Sequence, residues 1–138
     1  RFCSPNTIAY VKCNDETDEH YEALKRMEDE LKSFTQIDGE PYQLVELPMV
    51  TPHFDPDDGH RLPATYANFL ILNDAVLLPV YNCETDKKAI DAIKTAFPDR
   101  EIIPIDCSVL IRQHGSLHCV TMQYPALQNS NSIQVELY

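Results

Sequence analysis

Glu16-Thr17-Asp18 recurs as Glu84-Thr85-Asp86, and the two copies sit in matching surroundings. Each follows an apolar, β-rich run: Thr7 to Cys13 (TIAYVKC) before the first, Ala75 to Tyr81 (AVLLPVY) before the second. Each opens a stretch whose apolar residues fall at steps of three and four, the pattern of an amphipathic helix. In Asp18 to Phe34 these are Leu24, Met27, Leu31 and Phe34; in Glu84 to Phe97 they are Ala89, Ile90, Ile93 and Phe97. Asp15 or Thr17 is expected to cap the first helix. Each copy then leads to a strand with a proline toward its end, Tyr42 to Met49 (YQLVELPM) and Glu101 to Cys107 (EIIPIDC). Ala67 to Leu72 is expected to pair with Ala75 to Tyr81 across the Asn73-Asp74 turn. The repeating unit is therefore β-β-α-β, which suggests modules arrayed radially as in propellers. Such units bury their faces against neighbours, and two of them leave closure of a core in question.

At 138 residues the chain suits one compact domain. Its net charge of −11 repels phosphate backbones and anionic lipid, so neither nucleic acid nor a membrane is expected as a partner, whereas a small cation would be attracted. No run approaches the ~18 consecutive apolar residues of a membrane span, and no basic start precedes an apolar run. The five cysteines (Cys3, Cys13, Cys83, Cys107 and Cys119) are odd in number and form no CxxC pair, which points to free thiols in a reducing cytoplasm. The chain opens Arg-Phe-Cys, without Met, and reads as the later part of a longer protein; an intact source protein of 15.8 kDa would contradict that.

The sharpest local feature is His114-Gly115-Ser116-Leu117-His118-Cys119. Ser116 to Gln123 is expected to be a strand. On a strand, Leu117, Cys119 and Thr121 would share one face and Ser116, His118 and Val120 the other, which would separate His118 from the thiol despite their adjacency. A cysteine is a nucleophile only as its thiolate; from the residues alone Cys119 reads either as a nucleophile or as a small buried hydrophobe, and the other four read as small buried hydrophobes. Nothing has the spacing of a zinc site, and neither GxxxxGK(S/T) nor GxGxxG is present, so no metal or other cofactor is expected. Asp55-Pro56-Asp57-Asp58-Gly59 has a loose likeness to a calcium loop, but the proline interrupts it and its twelfth position is Tyr66, not Glu. Thr51 to Pro63 reads instead as a solvated acidic loop, with a substrate-covering loop as the functional alternative. His53 and His60 are expected to make local hydrogen bonds within it. The helix charges read as a solvated face. Asn129 to Ser132 reads as a turn and Ile133 to Tyr138 as a short closing strand.

The stretch Leu110-Ile111-Arg112-Gln113-His114-Gly115-Ser116-Leu117-His118-Cys119-Val120-Thr121-Met122-Gln123 resembles the carboxy-terminal nucleophile motif of agmatine deiminases and the related bacterial peptidylarginine deiminases, departing at His114, where many members have glycine. Tyr66-Ala67-Asn68-Phe69-Leu70-Ile71, with Asn73-Asp74 and Pro79, resembles their Tyr-x-Asn strand. Arg1-Phe2 matches the end of their His-x-Asp…Ala-Arg-Phe segment, and Thr7-Ile8, Asp18, His20 and Leu24 continue the match. The resemblance implies a pentein fold, an α/β propeller of five ββαβ modules. About two would be present here, roughly 1–50 and 64–107, followed by the nucleophile strand 116–123. Residues 1–138 would be the carboxy-terminal part of that domain, with the missing amino-terminal part as its partner. The implied reaction is hydrolysis of a guanidinium to a urea, with Cys119 as nucleophile, Asn68 and Gly115 as substrate-binding residues, and Thr65 to Asn68 shaping the pocket. The acid–base histidine and guanidinium-binding carboxylates would precede position 1, so this piece alone is expected to be inactive. The substrate implied is a small cationic guanidino compound, foremost agmatine in polyamine synthesis. Peptidyl-arginine or free arginine, and a non-enzymatic binding module on the same scaffold, are the alternatives; a homo-oligomer is left open.

Overall fold

A computed structural model describes residues 1–122. Strands β1 (Phe2–Ser4) and β2 (Thr7–Lys12) run antiparallel; helix α1 (Tyr21–Ser33) follows, and β3 (Gln43–Pro48) returns parallel to β2, with Ala9 opposite Val45. The order then repeats. Strand β4 (Leu70–Ile71) pairs antiparallel with β5 (Ala75–Val80); α2 (Asp86–Ala96) crosses over, and β6 (Glu101–Asp106) lies parallel to β5, with Leu77 opposite Ile103. The helices are required, because a parallel pair needs a crossover of a dozen or more residues. Two three-stranded sheets of identical connectivity result, so the β-β-α-β repeat is real.

One core serves both units. Ala9, Val45 and Leu47 of the first sheet meet Val76 and Leu78 of the second, together with Ala89, Ile93 and Phe97 from α2 and its C-terminal flank. The buried positions recur every four residues, as an inward helix stripe demands. Helix α2 packs on β3 of the preceding unit as well as on β6 of its own. Val45 and Leu47 are buried in consequence, whereas their counterparts Ile103 and Ile105 on β6 are only partly covered.

Several local expectations need correction. Neither Asp15 nor Thr17 caps α1: the helix starts three residues after Asp18, with His20 at its N-cap and no side-chain cap bond. Asp15 instead accepts from the Thr17 amide (2.9 Å), and Asp18 from the His20 amide (2.9 Å) and the Arg61 guanidinium. Both are short Asx turns, which compete with capping for the same carboxylates. Glu28 breaks the solvated-face pattern of α1: it is 5% exposed, bonded to Lys32 (2.6 Å) and flanked by Lys12 and Lys25.

Residues 66–68 form a 3-10 turn, not the start of a strand, so β4 keeps only two residues. Pro79 supplies the reason. Extending the register in which Leu70 faces Leu77 places Pro79 opposite Asn68, and proline has no N–H to offer there. The other large correction is the strand expected at 116–123. Ser116 and Leu117 lie in irregular backbone and His118–Val120 form a 3-10 turn. Alternating apolar and polar residues imitate a strand, but a strand needs a partner edge, and Cys119 N–H bonds back to Ser116 O instead (3.1 Å). Gln123, the turn at Asn129 to Ser132 and the strand at Ile133 to Tyr138 lie outside the described residues. No helix among the described residues is long and apolar enough to cross a membrane.

Candidate active site

Two short turns converge. The first, at residues 66–68, is held by Thr65, whose hydroxyl accepts from the Ala67 amide (3.3 Å) and whose carbonyl accepts from the Asn68 amide (3.3 Å). The second carries Cys119. Its lead-in, Leu110–Gln113, is a 3-10 turn that ends at His114 with φ of 67°. This left-handed conformation suits glycine; a residue with a Cβ is strained by about 1 kcal/mol or more. His114 stacks on His60 with ring centroids 4.9 Å apart. Loop 51–63 is thereby tied to the nucleophile segment, and Arg112 adds a contact to Asp57 (3.6 Å). The loop is not merely solvated: Leu62 joins the core and His53 Nε2 bonds the Tyr81 carbonyl (2.9 Å). His60 makes the local bond expected of it, to Asp58.

Where the turns meet, the Asn68 carboxamide spans the gap. Its Oδ1 accepts the His118 backbone N–H at 2.7 Å. A backbone amide only donates, so this contact sets the side-chain orientation and turns Nδ2 toward Cys119 Sγ, 3.3 Å away. The thiol is exposed, unlike buried Cys13 and Cys107. Its pKa is held below the usual thiol value, first by the Ser116 backbone beside it and then by the Asn68 carboxamide, whose Nδ2 donates to the sulfur and favours its anion; slight desolvation works the other way. Burial raises the thiols of Cys3 and Cys107.

Gly115 lies directly beneath. A Cβ placed there would sit 3.1 Å from Cys119 Cβ and 3.8 Å from Sγ, so glycine is what lets the backbone approach the thiol. The structure thus brings all three residues singled out in the sequence (Cys119, Asn68 and Gly115) to one spot. His118 is also near, and the strand-face argument for separating it fails with the strand. Its pKa is lowered, first by partial burial and then by the nearby Arg1 charge. Among the described residues, no hydrogen bond joins that ring to the sulfur. The guanidinium of Arg1 bonds the Phe69 carbonyl and lies 4.7 Å from the centre of the Phe69 ring, bracing the residue after Asn68.

Sequence reasoning missed what underlies these turns. Tyr66 and Tyr81 are almost completely buried, and their rings are 5.7 Å apart. The Tyr66 hydroxyl donates to Asp86 (2.7 Å), whose carboxylate also accepts the Tyr81 and Cys83 amides. The Tyr81 hydroxyl reaches Thr65 and Ser116. Nothing in a single sequence distinguishes such tyrosines from ordinary strand-end aromatics.

Two β-β-α-β units sharing one core, with an exposed cysteine where two turns meet, define a mixed α/β protein with a candidate cysteine site. The model of the Porphyromonas-type peptidyl-arginine deiminase family matches residues 1–125, and the chain belongs to that family. A solved structure from Porphyromonas gingivalis, named a "putative arginine deiminase", is 56% identical, with a TM-score of 0.86 across 91% of this chain and 37% of its own. The C. jejuni agmatine deiminase is 42% identical, with a TM-score of 0.76 across 86% of this chain and 34% of its own. A Vibrio parahaemolyticus protein named "putative agmatine deiminase" is 33% identical across 89% of this chain and 38% of its own. The chain thus spans less than two fifths of the length of the curated relatives it matches, 37% of a Marinomonas protein and 38% of the Vibrio one.

Proposed function

We propose that Cys119 is the nucleophile of a guanidine deiminase and that residues 1–138 are one part of it. The observation that carries this reading is the accessible Cys119 sulfur, with the Asn68 carboxamide donating to it at 3.3 Å and its pKa held below the usual thiol value. In the reaction, the thiolate adds to the central guanidinium carbon and one C–N bond of the tetrahedral adduct breaks. The departing nitrogen takes a proton and leaves as ammonia. The amidino-thioether left on Cys119 is attacked by water, the C–S bond breaks, and the thiolate is regenerated as the urea product departs. A guanidinium stays protonated at neutral pH, so carboxylates must hold it and a base must move the protons. Those groups belong to the remainder of the protein, and the 1–138 piece alone is silent. Asn68 would hold the thiolate and line the substrate's approach; Gly115 would leave room for the adduct.

The pentein arrangement is part of the same proposal. Helix α2 covers Val45 and Leu47 on β3, and the matching residues of β6, Ile103 and Ile105, are only partly covered. A further module seated on β6 would complete their burial in the way that α2 completes β3.

Agmatine is the first substrate reading. The names of the C. jejuni and Vibrio proteins favour it, and a small dication suits a net charge of −11. Arginine, free or peptidyl, is the second reading, favoured by the family's own description and by the 56% identity to the Porphyromonas gingivalis protein. Ammonia release from agmatine, arginine and an arginyl peptide by the full-length protein separates them. Cys119→Ala should abolish turnover of whichever is used; undiminished turnover would refute the nucleophile.

A further inference from the structure

Tyr81 follows β5 and is 1% exposed. Its hydroxyl accepts the Thr65 backbone N–H (3.1 Å), donates to the Thr65 carbonyl (3.0 Å) and accepts from the Ser116 hydroxyl (2.8 Å). One donor and two acceptor sites are all that a phenol has, so the group is saturated. Its three partners lie on the two segments that touch the Cys119 sulfur. Thr65 holds the turn that presents Asn68. Ser116, 2% exposed, accepts the Cys119 amide on its carbonyl (3.1 Å) and so fixes the turn that carries the thiol. The rest of Tyr81 is fixed too: its amide bonds Asp86 and its carbonyl receives His53.

We propose that Tyr81 is a positioning residue for the nucleophile: its hydroxyl clasps the Thr65 and Ser116 segments together and so holds the Asn68 donor against Cys119 Sγ. Two segments about fifty residues apart in sequence, neither of them in a strand at the point of contact, have few ways of holding a sulfur between them at hydrogen-bond distance. A buried, saturated phenol does so at little entropic cost, because its ring is already packed. The functional meaning of this role rests on the reading of Cys119 as the nucleophile, but the thiol's acidity is measurable without any substrate.

The test is the pH dependence of Cys119 alkylation by iodoacetamide, followed peptide by peptide in the full-length protein, with thermal midpoints recorded alongside. Tyr81→Phe keeps the ring and removes the clasp. It should raise the alkylation midpoint by ~0.5 unit or more, leaving about threefold less thiolate below the midpoint. Ser116→Ala keeps the backbone amide and loses one arm; it should shift the midpoint the same way by less. Tyr10→Phe, a buried tyrosine bonded to Glu46 (3.2 Å) in the first sheet, should lower stability and leave the midpoint alone. A Tyr81→Phe midpoint that stays put while its stability falls, as for Tyr10→Phe, would overturn the proposal. Should Tyr81→Phe fail to fold, Ser116→Ala decides, and an unmoved midpoint there overturns it. Failure of the deiminase reading shows elsewhere, as turnover that survives Cys119→Ala.

Discussion

Asn68→Asp isolates the electrostatics of the thiol because it changes almost nothing else. The retained Oδ1 still accepts the His118 N–H at 2.7 Å, so the turn keeps its anchor. What changes is the atom 3.3 Å from Sγ, where an N–H donor gives way to a carboxylate oxygen. Ordinary aspartate ionises near pH 3.9, so at neutral pH two anions would face each other. At about 4 Å their repulsion is about 1 kcal/mol in water and about 4 kcal/mol at an effective dielectric of 20. Cys119 is exposed, so the lower end applies. At 1.36 kcal/mol per pKa unit, the repulsion alone raises the thiol by about one unit; the lost donor adds to it. At pH 7 the thiolate fraction should fall about tenfold, and so should the iodoacetamide alkylation rate of Cys119, with the high-pH plateau preserved. An alkylation midpoint that is unchanged or lower would show that Asn68 does not act on the sulfur and that the site is assembled differently.

Gly115→Ala should leave the thermal midpoint nearly unchanged. In the full-length enzyme it should lower kcat by about threefold to tenfold, with little change in KM, because Cys119 must shift by a few tenths of an ångström; wild-type kcat would contradict the contact. Tyr66→Phe removes a buried hydroxyl from Asp86 and should cost about 1–3 kcal/mol in urea unfolding. The Asp18 carboxyl is held well below the usual carboxylate range by Arg61, the His20 amide and the His20 ring. A depressed folded-state pKa contributes stability that is present above the unfolded value near 3.9 and lost as pH falls through the folded one. The stability gap between wild type and Asp18→Asn should therefore narrow as pH drops below about 4; a gap constant from pH 7 to 3 would contradict the pairing.

Periodicity along the chain was enough to locate both helices, strands β2, β3, β5 and β6 and the repeat that relates them, because an element buried on one face must repeat its apolar residues at its own pitch. The motif around Cys119 and the Tyr-x-Asn stretch were legible as well, and they name residues that the fold brings into contact. What failed was the backbone carrying those residues. Residues 67–68 and 116–122 read as parts of strands, and they form 3-10 turns at 66–68 and 118–120 with irregular backbone beside the second, because strand formation depends on a partner edge that no local pattern encodes: Pro79 denies one to Asn68, and nothing among the described residues offers one to Cys119. Tertiary packing alone decided which donor would face the thiol, since the Asn68 carboxamide reaches the sulfur only when the second unit folds back on itself. It also decided that an unremarked tyrosine at the end of β5 would join the Thr65 and Ser116 segments.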